Sequence, residues 1–295
     1  PALFTLTLTL NRAYYPLREG PRSIVIDPQT PSTLYAGISG NVQYAQQPAG
    51  IFKSIDGGTS WISVSSALGS GFFAASLAID PHDPNTIYAG GFNPPGIGFV
   101  SEILKSTDGG MNWTVTGSFP SYVRALVIDA QIPSALYAVA GGRIFKSTDG
   151  GASWRDLDIS LPTDSIGDCD ECVPFGVLAV DPQRPDTLYA GGAVGVLKST
   201  DGGASWNAMN SGLPWPPADW FAVTALVIDP QTSKTLYATT TGNVLSCPDG
   251  ARNWNDATAG PAVPSVRHPR INLAHPSSGY AGLCGGGPWA CTLIL

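Results

Sequence analysis

Charge is what this sequence has least of. Only 13% of its 295 residues are Asp, Glu, Lys or Arg, about half the usual share of roughly 25%. Lysine occurs five times, glutamate three times and histidine three times. The net charge is −7 with no basic cluster, which excludes a nucleic-acid partner, because such a partner needs a cationic face for its phosphates. Long apolar runs are also missing, so no membrane insertion through a helix is expected. His82, His268 and His275 form no spaced pair beside the five cysteines. A four-ligand zinc site is therefore not expected, nor is any other metal or cofactor. Residue 1 is Pro rather than Met. With the low charge density, this reads as a chain trimmed at a cleavage or boundary, extracellular or secreted.

Glycine and proline are plentiful, at 35 and 26 residues. Together with many β-branched and aromatic residues they predict short strands joined by tight turns, an all-β chain. One phrase recurs: S-I-D-G-G-T-S-W at 54–61, S-T-D-G-G-M-N-W at 106–113, and S-T-D-G-G-A-S-W at 147–154 and 199–206. A decayed copy, S-C-P-D-G-A-R-N-W, runs over 246–254. A second phrase of the type I-D-P-Q-T-P-S-T-L-Y-A-G precedes each copy, with turn residues Asp27, Asp80, Asp129, Asp181 and Asp229, and His275 in a sixth, weaker place. These positions are 46 to 53 residues apart, the length of a four-stranded propeller blade. In each unit an apolar strand ends at the D-P turn. The L-Y-A-G strand follows, then a third strand, the D-G-G turn and a fourth strand starting at the Trp. Glycine suits the turn because it accepts positive φ. The Asp receives backbone N–H groups, and the Trp packs between sheets.

The phrase S-x-D-x-G-x-x-W resembles the Asp-box, or BNR, motif. The resemblance covers nearly the whole chain and implies a β-propeller like those of sialidases, xyloglucan-cleaving glycosidases, sortilin-type receptors and a photosystem II assembly factor. It assigns structural roles to Asp56, Trp61, Asp108, Trp113, Asp149, Trp154, Asp201, Trp206, Asp249 and Trp254. The expectation is one propeller over 1–295 with about six four-stranded blades. The sixth repeat has no D-G-G turn of its own. Leu3, Phe4, Thr5, Leu6, Thr7, Leu8, Thr9 and Leu10 alternate with period two, a strand signature. Within the segment 1–11 they stand where a fourth strand belongs. This strand is expected to complete the last blade of its own chain or of a neighbour, the second case giving a homo-oligomer or fibre.

Little chemistry is left after the scaffold is built. Ten of the 22 acidic residues belong to the repeat. Lys53, Lys105, Lys146 and Lys198 share one repeat position and read as solvated edge residues. The arginine-bearing phrase of sialidases is absent, and Arg124 and Arg143 read as surface arginines. Glycoside hydrolysis needs two carboxyl groups flanking the bond. The richest leftover group, Asp164, Asp168, Asp170 and Glu171, reads as a solvated loop. Trp215, Trp220 and Phe221 read as an inter-blade loop, and Asn112-Trp113-Thr114 matches a glycan acceptor inside a turn. Cys284 and Cys291 flank a Gly-rich turn across which a disulfide fits. Cys169 and Cys172 are disulfide candidates or free thiols, and Cys247 is left over. The expected function is a non-catalytic extracellular structural or interaction propeller that self-assembles. The alternative is a glycan-binding or glycan-hydrolysing, sialidase-like propeller.

Overall fold

The L-Y-A segments are the centre of each repeat, and their sequence explains why. They are short, uncharged runs of Leu, Tyr, Ala and Gly with no polar alternation, the pattern of strands covered on both faces. In the computed structural model, which describes residues 21–38, 49–65, 68, 72–92, 100–119, 121–159, 175–213, 222–240, 243–257, 270–271, 279–283 and 292–294, each is the second strand of an antiparallel sheet.

The first sheet is β1 (Pro21–Ile26), β2 (Leu34–Ile38), β3 (Gly50–Ser54) and β4 (Ile62–Ser63), in that order. The second is β5 (Phe73–Ile79), β6 (Ile87–Phe92), β7 (Ser101–Ser106) and β8 (Thr114–Phe119). The third is β9 (Val123–Ile128), β10 (Leu136–Ala140), β11 (Arg143–Ser147) and β12 (Arg155–Asp156). The fourth is β13 (Val177–Asp181), β14 (Arg184–Gly192), β15 (Gly195–Ser199) and β16 (Asn207–Ala208). The fifth is β17 (Ala225–Ile228), β18 (Leu236–Thr239), β19 (Val244–Cys247) and β20 (Asn255–Asp256). Last come β21 (Arg270–Ile271), β22 (Gly279–Leu283) and β23 (Thr292–Ile294). The chain is an all-β propeller with a meander of neighbouring strands in every sheet.

The blade count differs from the expectation of about six four-stranded blades. Among the described residues five sheets have four strands, and the sixth has three. The reason lies in the repeat. The fourth strand of each of the five follows a D-G-G or D-G-A turn, and the sequence holds no sixth copy of that turn. The segment 1–11, expected to supply a fourth strand there, lies outside the described residues.

The chain divides into two compact units, residues 1–141 with 145–155, and residues 142–144 with 156–295. In the first, Tyr35, Ile51, Leu77, Ile87 and Leu104 are buried in one cluster. Tyr88, Ile103, Val123, Leu126 and Leu136 are buried in another. In the second unit the core gathers Tyr189, Val196, Leu213, Val223, Leu236, Leu245 and Trp254. Each such large side chain contributes about 1.5–3 kcal/mol on burial. Small residues let the sheets approach: a Cβ added at Gly90 would sit 2.5 Å from Val123 Cγ1, so even alanine would push β6 from β9. Serines bridge the same gap. Ser23 Oγ accepts from Leu77 N at 3.0 Å, and Ser76 Oγ accepts from Leu126 N at 3.0 Å.

Candidate functional site

The repeated polar residues meet in the D-G-G turns, and each turn is a closed hydrogen-bond circuit. Ser54 Oγ donates to Asp56 Oδ1 at 2.8 Å and accepts from Gly58 N at 2.9 Å. Asp56 then accepts from Ser60 N at 2.9 Å and from Ser60 Oγ at 2.6 Å. The same set recurs around Asp108 with Ser106, Gly110 and Asn112. It recurs around Asp149 with Ser147, Gly151 and Ser153, and around Asp201 with Ser199, Gly203 and Ser205. Hydrogen bonds to the ionised carboxyl hold all of these groups at about 2, below the ordinary carboxylate range. The largest single contributor is the Ser60 side chain for Asp56, the Asn112 backbone for Asp108, the Ser153 side chain for Asp149 and the Ser205 side chain for Asp201.

The fifth turn shows where the decayed copy sits. Cys247, not Ser246, takes the serine position: its thiol donates to Asp249 Oδ1 at 2.8 Å and accepts from Ala251 N at 3.1 Å. The leftover cysteine is thus a buried turn residue, and burial raises its thiol. Its bond to Asp249 is the largest of those that hold that carboxyl at about 2. The signal was in the sequence, since aligning C-P-D-G on S-T-D-G needs no insertion. Ala251 stands where the other turns have a second glycine, at φ 72°.

The box tryptophans are half-buried at Trp61, Trp113, Trp154 and Trp206, and buried at Trp254. Trp113 Nε1 donates both to Gly110 O at 3.0 Å and to Val64 O of the preceding sheet at 2.9 Å. Trp254 reaches Met209 O at 2.9 Å in the same way. Trp154 Nε1 has no hydrogen-bond partner among the described residues. The strand before it, β8, shifts register around Thr116, the residue whose carbonyl corresponds to those of Val64 and Met209.

The repeated lysines differ from their reading as solvated edge residues. Each is half-buried, with Nζ 5.0–5.2 Å from the ring centroid of the L-Y-A tyrosine of its own sheet: Lys53 over Tyr35, Lys105 over Tyr88, Lys146 over Tyr137 and Lys198 over Tyr189. Three also donate to the first glycine carbonyl of the next D-G-G turn: Lys53 to Gly109 O (3.2 Å), Lys105 to Gly150 O (3.2 Å) and Lys198 to Gly250 O (3.1 Å). Each such lysine clips one sheet to the next through a cation–π contact and a charge-assisted hydrogen bond. Burial lowers the Lys198 ammonium. The acceptor is a backbone carbonyl some 50 residues away, which no side-chain pattern marks. The one available signal was that Tyr and Lys recur together.

The tyrosine hydroxyls give a direct test of this joint. Tyr35 Oη donates to Gly109 O at 3.2 Å and Tyr88 Oη to Gly150 O at 3.0 Å, but Tyr189 Oη is buried without a hydrogen-bond partner among the described residues. Burial, with the nearby Asp181 carboxylate, pushes the Tyr189 phenol up to about 12. Tyr35→Phe and Tyr88→Phe are each expected to cost about 1 kcal/mol, whereas Tyr189→Phe costs nothing or stabilises. Equal losses at all three positions in urea unfolding would contradict the assignment.

The D-P turn aspartates are spent in the same manner. Asp27, Asp80, Asp129, Asp181 and Asp229 each accept two N–H groups of the following residues through Oδ1. The fully buried Asp181 also holds Arg184 through two bonds, at 2.9 and 3.0 Å. Arg124 is exposed on β9. Arg143 pairs with Asp156 at 2.6 Å and Asp158 at 3.7 Å on the surface. Asn112 Nδ2, the atom a glycan would take, donates to Asp108 Oδ2. Among the described residues no group of three or more His, Cys, Asp or Glu could hold a metal ion. The acidic loop at 164–171, the aromatic loop with Trp215, Trp220 and Phe221, and Cys169, Cys172, Cys284 and Cys291 lie outside the described residues.

Neither a protein-family model nor a curated protein matches the chain. Solved structures do match. A GH74 enzyme of Niastella koreensis aligns with a TM-score of 0.66 at 20% identity, over 88% of this chain and 40% of that one. The GH74 xyloglucanase of Xanthomonas campestris aligns with a TM-score of 0.57 at 15% identity, over 88% of this chain and 50% of that one. A chain of the nidogen/laminin complex aligns with a TM-score of 0.51 at 13% identity, over 85% and 81% of the two chains. This chain therefore spans half or less of the two GH74 enzymes. At these identities the likeness shows the β-propeller fold, and a fold hosts many activities.

Proposed function

We propose that this propeller is a non-catalytic interaction scaffold that works outside the cell and associates with copies of itself. One observation carries the reading: the carboxylates repeated from sheet to sheet accept hydrogen bonds from their own turns. A general acid or a nucleophile must instead present a carboxyl to substrate, in a pair flanking the scissile bond. The rival reading, a glycan-binding or glycan-hydrolysing propeller, draws on the likeness to the GH74 enzymes. Incubating the pure chain with xyloglucan, mixed β-glucans and sialosides separates the two. No sugar release above the blank is expected. Release that disappears on changing one carboxylate would overturn the proposal.

Self-association through residues 3–10 belongs to the same proposal and concerns residues outside those described. Deleting residues 1–10 is expected to lower the sedimenting mass of the native material. An unchanged mass would remove that mode of association.

A further inference from the structure

The first strands of the sheets break their pairing at one repeated place. In the first sheet Pro21 pairs with Ile38 and Ser23 with Gly37, so Arg22 is an extra residue with no counterpart across the ladder. In the second, Ala74 pairs with Gly91 and Ser76 with Gly90, which leaves out Ala75. In the third, Val123 pairs with Ala140 and Ala125 with Val139, which leaves out Arg124. Arg22, Ala75 and Arg124 each stand five residues before the D-P aspartate of their repeat. The three bulges are therefore one feature of the repeat, and a bulge re-aims the side chain it carries.

The residue at the bulge varies where the rest of the repeat does not. The D-P aspartate and the L-Y-A run recur, but this position holds Arg, Ala and Arg, then Gly176 and Thr224 in the fourth and fifth sheets. A position that keeps its backbone shape but not its residue type is available for a task beyond folding. Within the first unit the row is closely held. Ser23, next to Arg22, accepts from Leu77 N of β5, and Ser76, next to Ala75, accepts from Leu126 N of β9, both at 3.0 Å. Arg22 and Arg124 thus flank Ala75 on successive first strands. Both arginines are exposed, and neither forms a hydrogen bond or ion pair with a described residue. Arg143 and Arg184, by contrast, hold Asp156 and Asp181.

We propose that Arg22 and Arg124 form a two-point site for a small polycarboxylate, with one carboxylate on each guanidinium and the ligand passing over Ala75. A guanidinium is always charged, and its fork of donors fits a carboxylate through two parallel hydrogen bonds. The methyl side chain of Ala75 leaves the space between the two forks open, and no acidic residue occupies this repeat position to neutralise them. A ligand that engages both forks gains from the second contact without a second loss of freedom, whereas a single carboxylate engages one fork only. The site lies within the first unit and goes beyond the reading above: it depends neither on how copies of the chain associate nor on the absence of sugar release.

The test is isothermal titration calorimetry of the full chain with citrate at low ionic strength, where charge pairing is least screened, beside R22Q, R124Q and R155Q. Arg22, Arg124 and Arg155 are all exposed, so no variant leaves a cavity, and thermal unfolding checks that each is folded. Citrate is expected to bind once per chain. R22Q and R124Q should each weaken it about tenfold, and R155Q, an equal loss of charge on β12, should leave it unchanged. Acetate and inorganic phosphate, which cannot reach both guanidiniums, should bind about tenfold more weakly than citrate. Absence of citrate binding, or binding equal in wild type and either of R22Q and R124Q, overturns the proposal. So does an equal loss in R155Q, which would reduce the effect to overall charge, or acetate or phosphate bound as tightly as citrate.

Discussion

Gly203→Ala is expected to destabilise the protein by roughly 2–4 kcal/mol, far more than a Gly-to-Ala change costs on an ordinary surface. Two effects act together. Gly203 has φ 92°, and an L-residue pushed toward the left-handed region pays about 1–2 kcal/mol. Its added Cβ would also overlap Leu157 Cδ1 and meet Leu188 Cδ1 at 3.4 Å. Leu188 is fully buried, so the methyl enters filled space, which typically costs about 1–3 kcal/mol. Gly176→Ala is the control. A Cβ there meets nothing within 4 Å, and its effect should stay within about 0.5 kcal/mol. Urea unfolding of the two variants measures the contrast, and equal midpoints would contradict it.

Trp254→Ala is expected to cost about 3–5 kcal/mol, although Trp254 sits in the repeat whose sequence has decayed most. It is the most buried of the five box tryptophans, at 3% exposed. Its ring packs in the cluster with Leu213, Val223 and Leu245, and its removal leaves Met209 O without its Nε1 donor. Trp61 is half-buried, and its Nε1 bonds within its own turn, to Gly58 O. Trp61→Ala should therefore cost clearly less. If loss of the glycine and serine from the fifth turn had relaxed the packing, the order would reverse.

The repeat made much of this legible. A period near 50 residues, the L-Y-A runs and the D-G-G turns locate second strands and hairpins, because each depends on neighbours in sequence. Joints between sheets are another matter. The clip from Lys105 to Gly150 O spans 45 residues and ends on a backbone carbonyl, so the lysine reads as any exposed cation would. The sixth sheet was overcounted because its fourth strand was expected from residues 3–10, whose period-two pattern marks a strand without saying which edge it pairs with. The length of β8 was equally hidden. T-V-T-G-S-F follows its Trp in the register where β4 and β16 stop after two residues, and only pairing with β7 prolongs it. As for the candidate site, the sequence marks the repeated Asp and Trp positions but not what their side chains meet. That their carboxylates are closed circuits is a matter of distances.

Those circuits make acid the most direct test of the claim that the repeated carboxylates hold the fold. Asp56, Asp108, Asp149, Asp201 and Asp249 are held at about 2 in the native protein, against an ordinary value of about 3.9. A carboxyl depressed by folding adds stability that is present above its unfolded value and is lost as pH falls through the folded one. Thermal unfolding should therefore be insensitive to these groups above about pH 5. It should then drop between about pH 4 and pH 2 as the five turns protonate. Asp201→Asn should show a lower melting temperature at neutral pH and a shallower acid limb. A wild-type protein equally stable at both ends of that window, or a variant with an unchanged profile, would show that these carboxylates do not hold the turns.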